Sequence, residues 1–518
     1  MMGRRAILAA NRHKCQPDLR VKPSISMAIP TSTVDEQNLR TAEVMRQLYG
    51  RLEDVLKRHR PEEYAAVVTQ CLRKFRESHA VPPHWALHSI EASCAYARGH
   101  NSDPVTIDRV RRVLDVYANH VDPYLSKLSE DREAHLFGLA MYREQMEIQC
   151  GWSQVEGRRN VLLFDPKISI PGLAKEFHSR HGISTHSWIL CCVACAKIAG
   201  DSRDSYVHRE HLLQLAPSLA PLEVDRFLEL SSADAKTLGT SFRTKRIDTK
   251  PHLHGLLRSE FLETPLLRID GEHYLAPVPP LLLRHSGHGL CHRMRKPPLP
   301  SFHKEFGPAF NRCVHHLAVQ SRDSLRLVPE KDVEKRATGK SCDLILELPD
   351  CLLAVECKAT AVSADYTTMP ALRADNSTTK IRDAHVQLYS TAHDIQCGRY
   401  DDLGVSNVKP VVGIVVTWDT IPLANSDWYR KSILRPEGIT SLVPPIFPSE
   451  NMTRRPIVIS LATFESLVEC LNSKPVTMLG LCAEWELLPF WRDGDWDRFL
   501  ANKLKPPDCR AECDSVRA

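Results

Sequence analysis

Asp343, Glu356 and Lys358 lie inside one stretch, KSCDLILELPDCLLAVECKAT, residues 340–360. Successive strand residues face opposite sides, so Glu356 and Lys358 share one side and Cys357 takes the other. At the end of the apolar run Leu352-Leu353-Ala354-Val355, two opposite charges are costly without a partner or a task. An Asp, a Glu and a Lys gathered at the edge of a sheet hold a divalent cation and activate a water. The competing reading is a surface hairpin whose Glu and Lys form a solvated pair worth little.

The elements that must position these groups are legible as patterns. Two short strands, 344–348 and 351–360, flank a turn at Pro349-Asp350. Upstream, Phe306, Phe310, Cys313, Val314 and Leu317 form one stripe of a helix over 302–320. Downstream come a helix over 379–396 and a strand over 411–417. That strand is apolar almost throughout, as in a sheet covered on both faces. A strand at 457–461 and a helix at 463–471 follow.

This segment resembles the core of the PD-(D/E)XK nuclease superfamily, the restriction-endonuclease-like fold. In that family an Asp opens the second core strand and a Glu-x-Lys closes the third. Asp343, Glu356 and Lys358 match those positions. The literal Pro349-Asp350 pair sits too close to Glu356 and reads as the hairpin turn. The resemblance covers roughly residues 301–420 and rests on the strand–turn–strand context more than on the letters.

The resemblance implies an α/β restriction-endonuclease-like C-terminal domain, a mixed sheet flanked by helices, preceded here by a mainly α-helical region. It implies Mg²⁺ held by Asp343, Glu356 and the backbone carbonyl of Cys357. Lys358 orients or deprotonates the attacking water, or stabilises the developing oxyanion. On the second helix, Gln387 supports the site and Lys380 contacts phosphate; the bland alternative is a solvated helix face. One departure concerns the first helix, where relatives place a Glu after Gly-x-x-Phe. Here Gly307-Pro308-Ala309-Phe310 leads into Asn311, which accepts through its amide but brings no charge. Glu305 lies six residues earlier, about 120° around the helix, and reads as an ordinary first-turn acid.

The implied activity is that of a Mg²⁺-dependent endonuclease hydrolysing phosphodiester bonds, of DNA rather than RNA. A bacterial defence role against phage or plasmids follows by analogy alone. The alternative is a catalytically degenerate nuclease fold that binds nucleic acid or scaffolds a complex. A partner protein or a homo-oligomer fits either reading.

The chain's bulk properties bound these readings. Its 518 residues permit two to four domains. Hydrophobic content of 43% and charged content of 25% are ordinary for a globular protein. A net charge of +5 and a pI near 8.4 permit a nucleic-acid partner without requiring one. The 17 cysteines are odd in number, and Cys191, Cys192, Cys313, Cys342 and Cys470 sit in apolar runs. They read as small buried hydrophobes of a reducing compartment. No apolar run approaches ~20 residues, so no membrane span is expected. The start, MMGRRAILAANRHK, has too short an apolar stretch for a secretory signal, and a cytoplasmic location is the expectation. No phosphate-cradling Gly loop and no Gly-x-Ser-x-Gly elbow occurs, which argues against nucleotide hydrolysis and serine-hydrolase chemistry.

Along the chain, residues 1–37 read as a mobile basic arm, 38–250 as mainly helical and 251–300 as a hairpin followed by a basic linker. Residues 301–475 hold the nuclease-like domain and 476–518 a C-terminal extension. The hairpin centres on Asp270-Gly271. Two further groups contain zinc-ligand types: His285, His288, Cys291 and His292, and Cys191, Cys192 and Cys195 with His208 and His211. Their spacing is not that of two separated ligand pairs, so a basic linker and a buried Cys-rich helix are the preferred readings.

Overall fold

The computed structural model describes residues 34–75, 83–97, 104–116, 154–248, 258–320, 326–360, 369–421, 423–434, 456–473, 475–486, 499–500 and 503. Most of the expected N-terminal arm and the tail cysteines Cys509 and Cys513 lie outside them. The helix Val34–Leu56 already begins in the last residues assigned to that arm.

Two sheets form. The smaller joins β1 (Tyr206–His208), β2 (Ser232–Asp234), β3 (Leu266–Arg268) and β4 (His273–Leu275) in the order β1-β4-β3-β2. The β3–β4 hairpin is the one expected around Asp270-Gly271. Asp270 Oδ1 closes its turn by accepting the backbone N–H groups of Glu272 and His273, each at 2.8 Å. Strands β1 and β2 come from the region read as helical, so segments on both sides of residue 250 build one layer. This sheet shares a core with the helices Val34–Leu56, Pro61–Phe75, Pro83–Tyr96 and Ala235–Asp248. Leu52, Tyr64, Val68, Ile90, Leu238 and Phe242 meet Leu267 and Leu275 there. Gly239 allows the closest approach in this core, because a Cβ at that position would run into the Cys94 carbonyl.

The larger sheet carries the predicted site. Its order is β5 (Arg326–Pro329), β6 (Leu344–Glu347), β7 (Leu352–Lys358), β8 (Val411–Thr417) and β9 (Ile457–Ser460). The first three strands are antiparallel neighbours, whereas β7–β8 and β8–β9 pair in parallel. Parallel pairing needs a crossover, and the helix Asn376–Gln396 supplies it between β7 and β8. Alternation along β7 sends Leu353, Val355 and Cys357 to a core shared with the helices Phe302–Val319 and Leu461–Ser473. Leu352 and Ala354 face the core under Asn376–Gln396. Both faces are therefore covered, as the apolar character of β8 predicts.

The residues expected to form a basic linker are instead helical and built into the core. Pro280–Arg284, a π-turn at His285–Gly289 and Leu290–Arg295 follow one another without a break. Leu282, Leu290 and Met294 are buried. The physical reason is an apolar stripe whose helical period the π-turn shifts by one residue, which hides it from a simple count. Trp188 packs edge-on against Phe177 and Phe227 with ring centres 5.9 and 5.2 Å apart. Its indole N–H donates to the His285 carbonyl at 3.1 Å, so His285 is a core residue. His288 packs tilted against Trp418 with ring centres 5.0 Å apart, and His292 lies 3.2 Å from Glu263. Cys191, Cys192 and Cys195 are buried free thiols that burial pushes up. Among the described residues, no group of three or more His, Cys, Asp or Glu side chains is arranged to hold a metal directly.

The helices Pro171–His181, Thr185–Asp201 and Pro221–Ser231 belong to the same core as Phe302–Val319 and one face of the larger sheet. A buried ion pair fixes this junction. Arg159, on the helix Gln154–Leu163, meets Glu465, on Leu461–Ser473, at 2.7 Å with side-chain exposures of 5% and 12%. Glu465→Ala removes the carboxylate from a buried guanidinium and should cost about 3–5 kcal/mol in denaturant unfolding. Arg159→Met combined with Glu465→Leu should recover most of that loss; a double variant as unstable as the single one would refute the buried-charge account. Among the described residues, no single helix is long and apolar enough to cross a membrane.

Candidate active site

Register places the acids. Pro329 pairs with Leu344, and Leu344 with Val355. One step beyond that row, Asp343 stands opposite Glu356, where cross-strand side chains are immediate neighbours. Asp343 Oδ2 accepts the backbone N–H of Cys357 at 2.5 Å. The Cys357 side chain is buried on the opposite face. Two residues on, the Lys358 ammonium donates to Glu356 Oε1, and to Gln387 Oε1 at 2.8 Å. Asp343, Glu356, Lys358 and Gln387 thus occupy one site at the end of β6 and β7.

The Asn376–Gln396 helix builds the approach to this site. Gln387 Nε2 donates to the Ser341 carbonyl at 3.0 Å. One turn later, Thr391 Oγ1 accepts the Cys342 N–H at 2.9 Å. Asp394, 1% exposed, accepts from the Thr338 N–H at 3.0 Å and its hydroxyl at 2.8 Å. These three side chains hold the loop that delivers Asp343. Sequence reasoning missed Thr391 and Asp394. Their signal is a polar series at i, i+4 and i+7 from Gln387, on the helix face that also carries Leu388, Ala392 and Ile395 into the core.

Asn311 lies where the resemblance places the helix acid. Its amide nitrogen donates to Asp343 Oδ1 at 3.3 Å. Glu305 is committed elsewhere: its carboxylate accepts the N–H groups of Gly172 at 3.1 Å and Leu173 at 2.9 Å, at the start of Pro171–His181. Lys380 is half-buried, and burial, then Arg295, then Lys358 push its ammonium below the usual lysine range. Arg295 and Lys358 thus lie within electrostatic reach of Lys380, and Arg295 closes the helix Leu290–Arg295.

Electrostatically the site is strained by its own acids. Burial, then the Asp343 carboxylate, pushes the Glu356 carboxyl up to about 8, against the pull of Lys358. Asp343 is also raised, chiefly by burial, with the Cys357 N–H and Lys358 opposing. Glu356 is 2% exposed, and its Oε2 is buried with no hydrogen-bond partner. Buried polar atoms are normally paired, so an orphaned carboxylate oxygen is informative. A small, hard cation would satisfy two crowded carboxylates and the unpaired oxygen together, and Mg²⁺ takes few protein ligands and retains waters. The donor set therefore fits such an ion.

Compared with protein-family models, curated proteins and solved structures, the chain matches none.

Proposed function

We propose that this chain is a divalent-cation-dependent phosphodiesterase of the restriction-endonuclease-like type, acting on DNA in preference to RNA. The observation that carries the reading is the buried Glu356 oxygen without a partner, beside Asp343 and within reach of Lys358. The element order supports it: a helix, three antiparallel strands, a crossover helix and a parallel strand. Asp343, Glu356 and the Cys357 carbonyl would hold Mg²⁺. When bound, the ion supplies charge neutralisation at the phosphate and a more acidic water.

The chain's own residues supply the rest. Lys358 directs its amine at the attacking water, held by Gln387 on one side and Glu356 on the other. Asn311 and the Cys357 N–H orient Asp343. Lys380 and Arg295 offer positive charge to the phosphates flanking the scissile bond, which fix register without reading sequence. The N-terminal helical region would contribute substrate choice, a partner contact or oligomerisation. Defence against phage or plasmid DNA remains an analogy drawn from the fold type.

A second reading has one observation in its favour. Asn311 in place of an acid leaves two carboxylates, consistent with a nuclease fold that only binds nucleic acid or scaffolds a complex. Incubating the purified chain with plasmid, single-stranded DNA and RNA separates the two, with Mg²⁺ or EDTA and beside Asp343→Ala. The enzyme reading expects Mg²⁺-dependent cleavage of DNA, lowered ~10³-fold by the substitution, the equivalent of several kcal/mol. No cleavage by the wild type on any substrate would favour the scaffold, and EDTA-resistant cleavage would refute the cation-dependent mechanism.

A further inference from the structure

We propose that a cavity on the N-terminal helices binds a phosphomonoester, a ligand that carries one terminal phosphate. The cavity shares no residue with the Asp343 site, and its role does not depend on the nuclease reading.

Two segments wall this cavity. Asp54, Val55, Arg58 and His59, at and just beyond the end of the helix Val34–Leu56, line one side, and Arg109 and Arg112 line the other. Arg109 and Arg112 belong to a helix over 107–116, where residues three apart are neighbours on one face. Val110, Val113 and Leu114 fix that helix by sharing a core with Leu52 and Leu56. Glu63 Oε1, at the start of Pro61–Phe75, accepts the Val105 N–H at 3.0 Å and ties down the loop before it. Both walls are therefore in place before a ligand arrives, which lowers the ordering cost of binding.

The charge of the cavity is one-sided. Arg109 Nη1 donates to the Pro104 carbonyl at 3.4 Å and lies 3.5 Å from His59 Nε2. A guanidinium has no acceptor, so the imidazole, 3% exposed, takes the accepting role and leaves the Arg109 charge uncancelled. Asp54, the acid of the lining, is paired with Lys57 at 2.7 Å. Among the described residues, no carboxylate stands within ion-pair distance of Arg58 or Arg112. Cations of one sign lining a concavity raise the local concentration of anions, and the planar guanidinium fork matches phosphate oxygens bidentately. The cavity holds about 150 Å³, small beside the roughly 300–1,000 Å³ of sites that enclose a whole organic ligand. It suits one anionic group. Arginines converging on a point favour a terminal phosphate, with a charge of about −1.5 to −2 at pH 7. The singly charged diesters of a nucleic-acid backbone call instead for an extended basic groove.

The test is calorimetric titration of inorganic phosphate into the full chain at pH 7.5 with EDTA, so that no cation bound elsewhere holds the phosphate. Phosphate should bind the wild type, and ~10–100-fold more weakly when Arg112→Ala removes one charge-assisted contact. Arg112 is exposed, and an unchanged melting temperature without phosphate checks that the variant is folded. Arg111, on the same helix and 3.9 Å from Asp108, is the control: Arg111→Ala should leave the affinity unchanged. An oligonucleotide ending in a 5′-phosphate, beside the same one ending in a 5′-hydroxyl, separates two sources of the ligand. Preference for the phosphorylated end assigns a nucleic-acid terminus; no preference, with phosphate still bound, assigns a small phosphorylated molecule. Absence of phosphate binding by the wild type, binding untouched by Arg112→Ala, or equal weakening by Arg111→Ala overturns the proposal.

Discussion

Lys358→Ala is expected to lower DNA cleavage by ~10²–10⁴-fold, the range a positioned general acid or base contributes. The expectation follows from where the ammonium is held. Strand alternation puts Lys358 on the same side of β7 as Glu356, and the ammonium bridges Glu356 Oε1 and Gln387 Oε1. Its side chain is only 18% exposed, so solvent does not substitute for it. Asp343, Glu356 and the Cys357 carbonyl remain in the variant, and Mg²⁺ binding should survive. Rate and cation affinity therefore separate: the first falls, the second stays within a few-fold at pH 8.5. Gln387→Ala should give a smaller loss, because Gln387 acts through Lys358 and Ser341. Near wild-type cleavage by Lys358→Ala would remove the lysine from the mechanism, whatever the cation does.

Glu356→Gln should abolish cleavage yet stabilise the metal-free fold at alkaline pH. The Glu356 carboxyl, ordinarily near 4.5, is held at about 8 in the folded chain. Between those values the folded state keeps a proton that the unfolded state has released. Stability from this group is therefore fully present below about pH 4.5 and declines as pH rises to about 8. Gln carries no titrating proton, so the variant lacks this decline. The melting temperature of wild type minus that of Glu356→Gln should fall steadily from pH 5 to pH 8.5. Adding Mg²⁺ at pH 8.5 should raise the wild-type value by binding only the folded state, and should raise the variant far less. At pH 5.5 protons compete for the same oxygen, and the Mg²⁺ effect should shrink. A pH-independent difference between the two proteins would mean that Glu356 titrates as an ordinary carboxylate. Strain of this kind is a recurrent cost of functional sites, where stability and activity trade against each other.

The elements nearest the site were the most legible. Strand β8 spans the residues expected, and the turn at Pro349-Asp350 separates β6 from β7 as the hairpin pattern requires. Those segments are strongly patterned, and their local preferences agree with their environment. Strand β5 escaped notice because it is four residues long, lies at the sheet edge and ends in Pro329, a residue that edge strands tolerate. The smaller sheet was missed in part for the same reason, since each of its strands is three residues long. The helix Met478–Glu486 lies in the expected C-terminal extension, and Leu481 and Cys482 join the core there.

By itself, the sequence determined which groups share a side of β7, which runs are apolar enough to be covered, and that an Asn, not an acid, follows Phe310. Those are matters of period and residue type, which local geometry dictates. Only the tertiary structure decided that Asp343 faces Glu356, that Gln387 grips Lys358 and that Glu305 serves another helix. The reason is that each of these depends on strand register or on helix–sheet docking. Both are settled by burying side chains far apart in the chain, and no local window of residues contains that information.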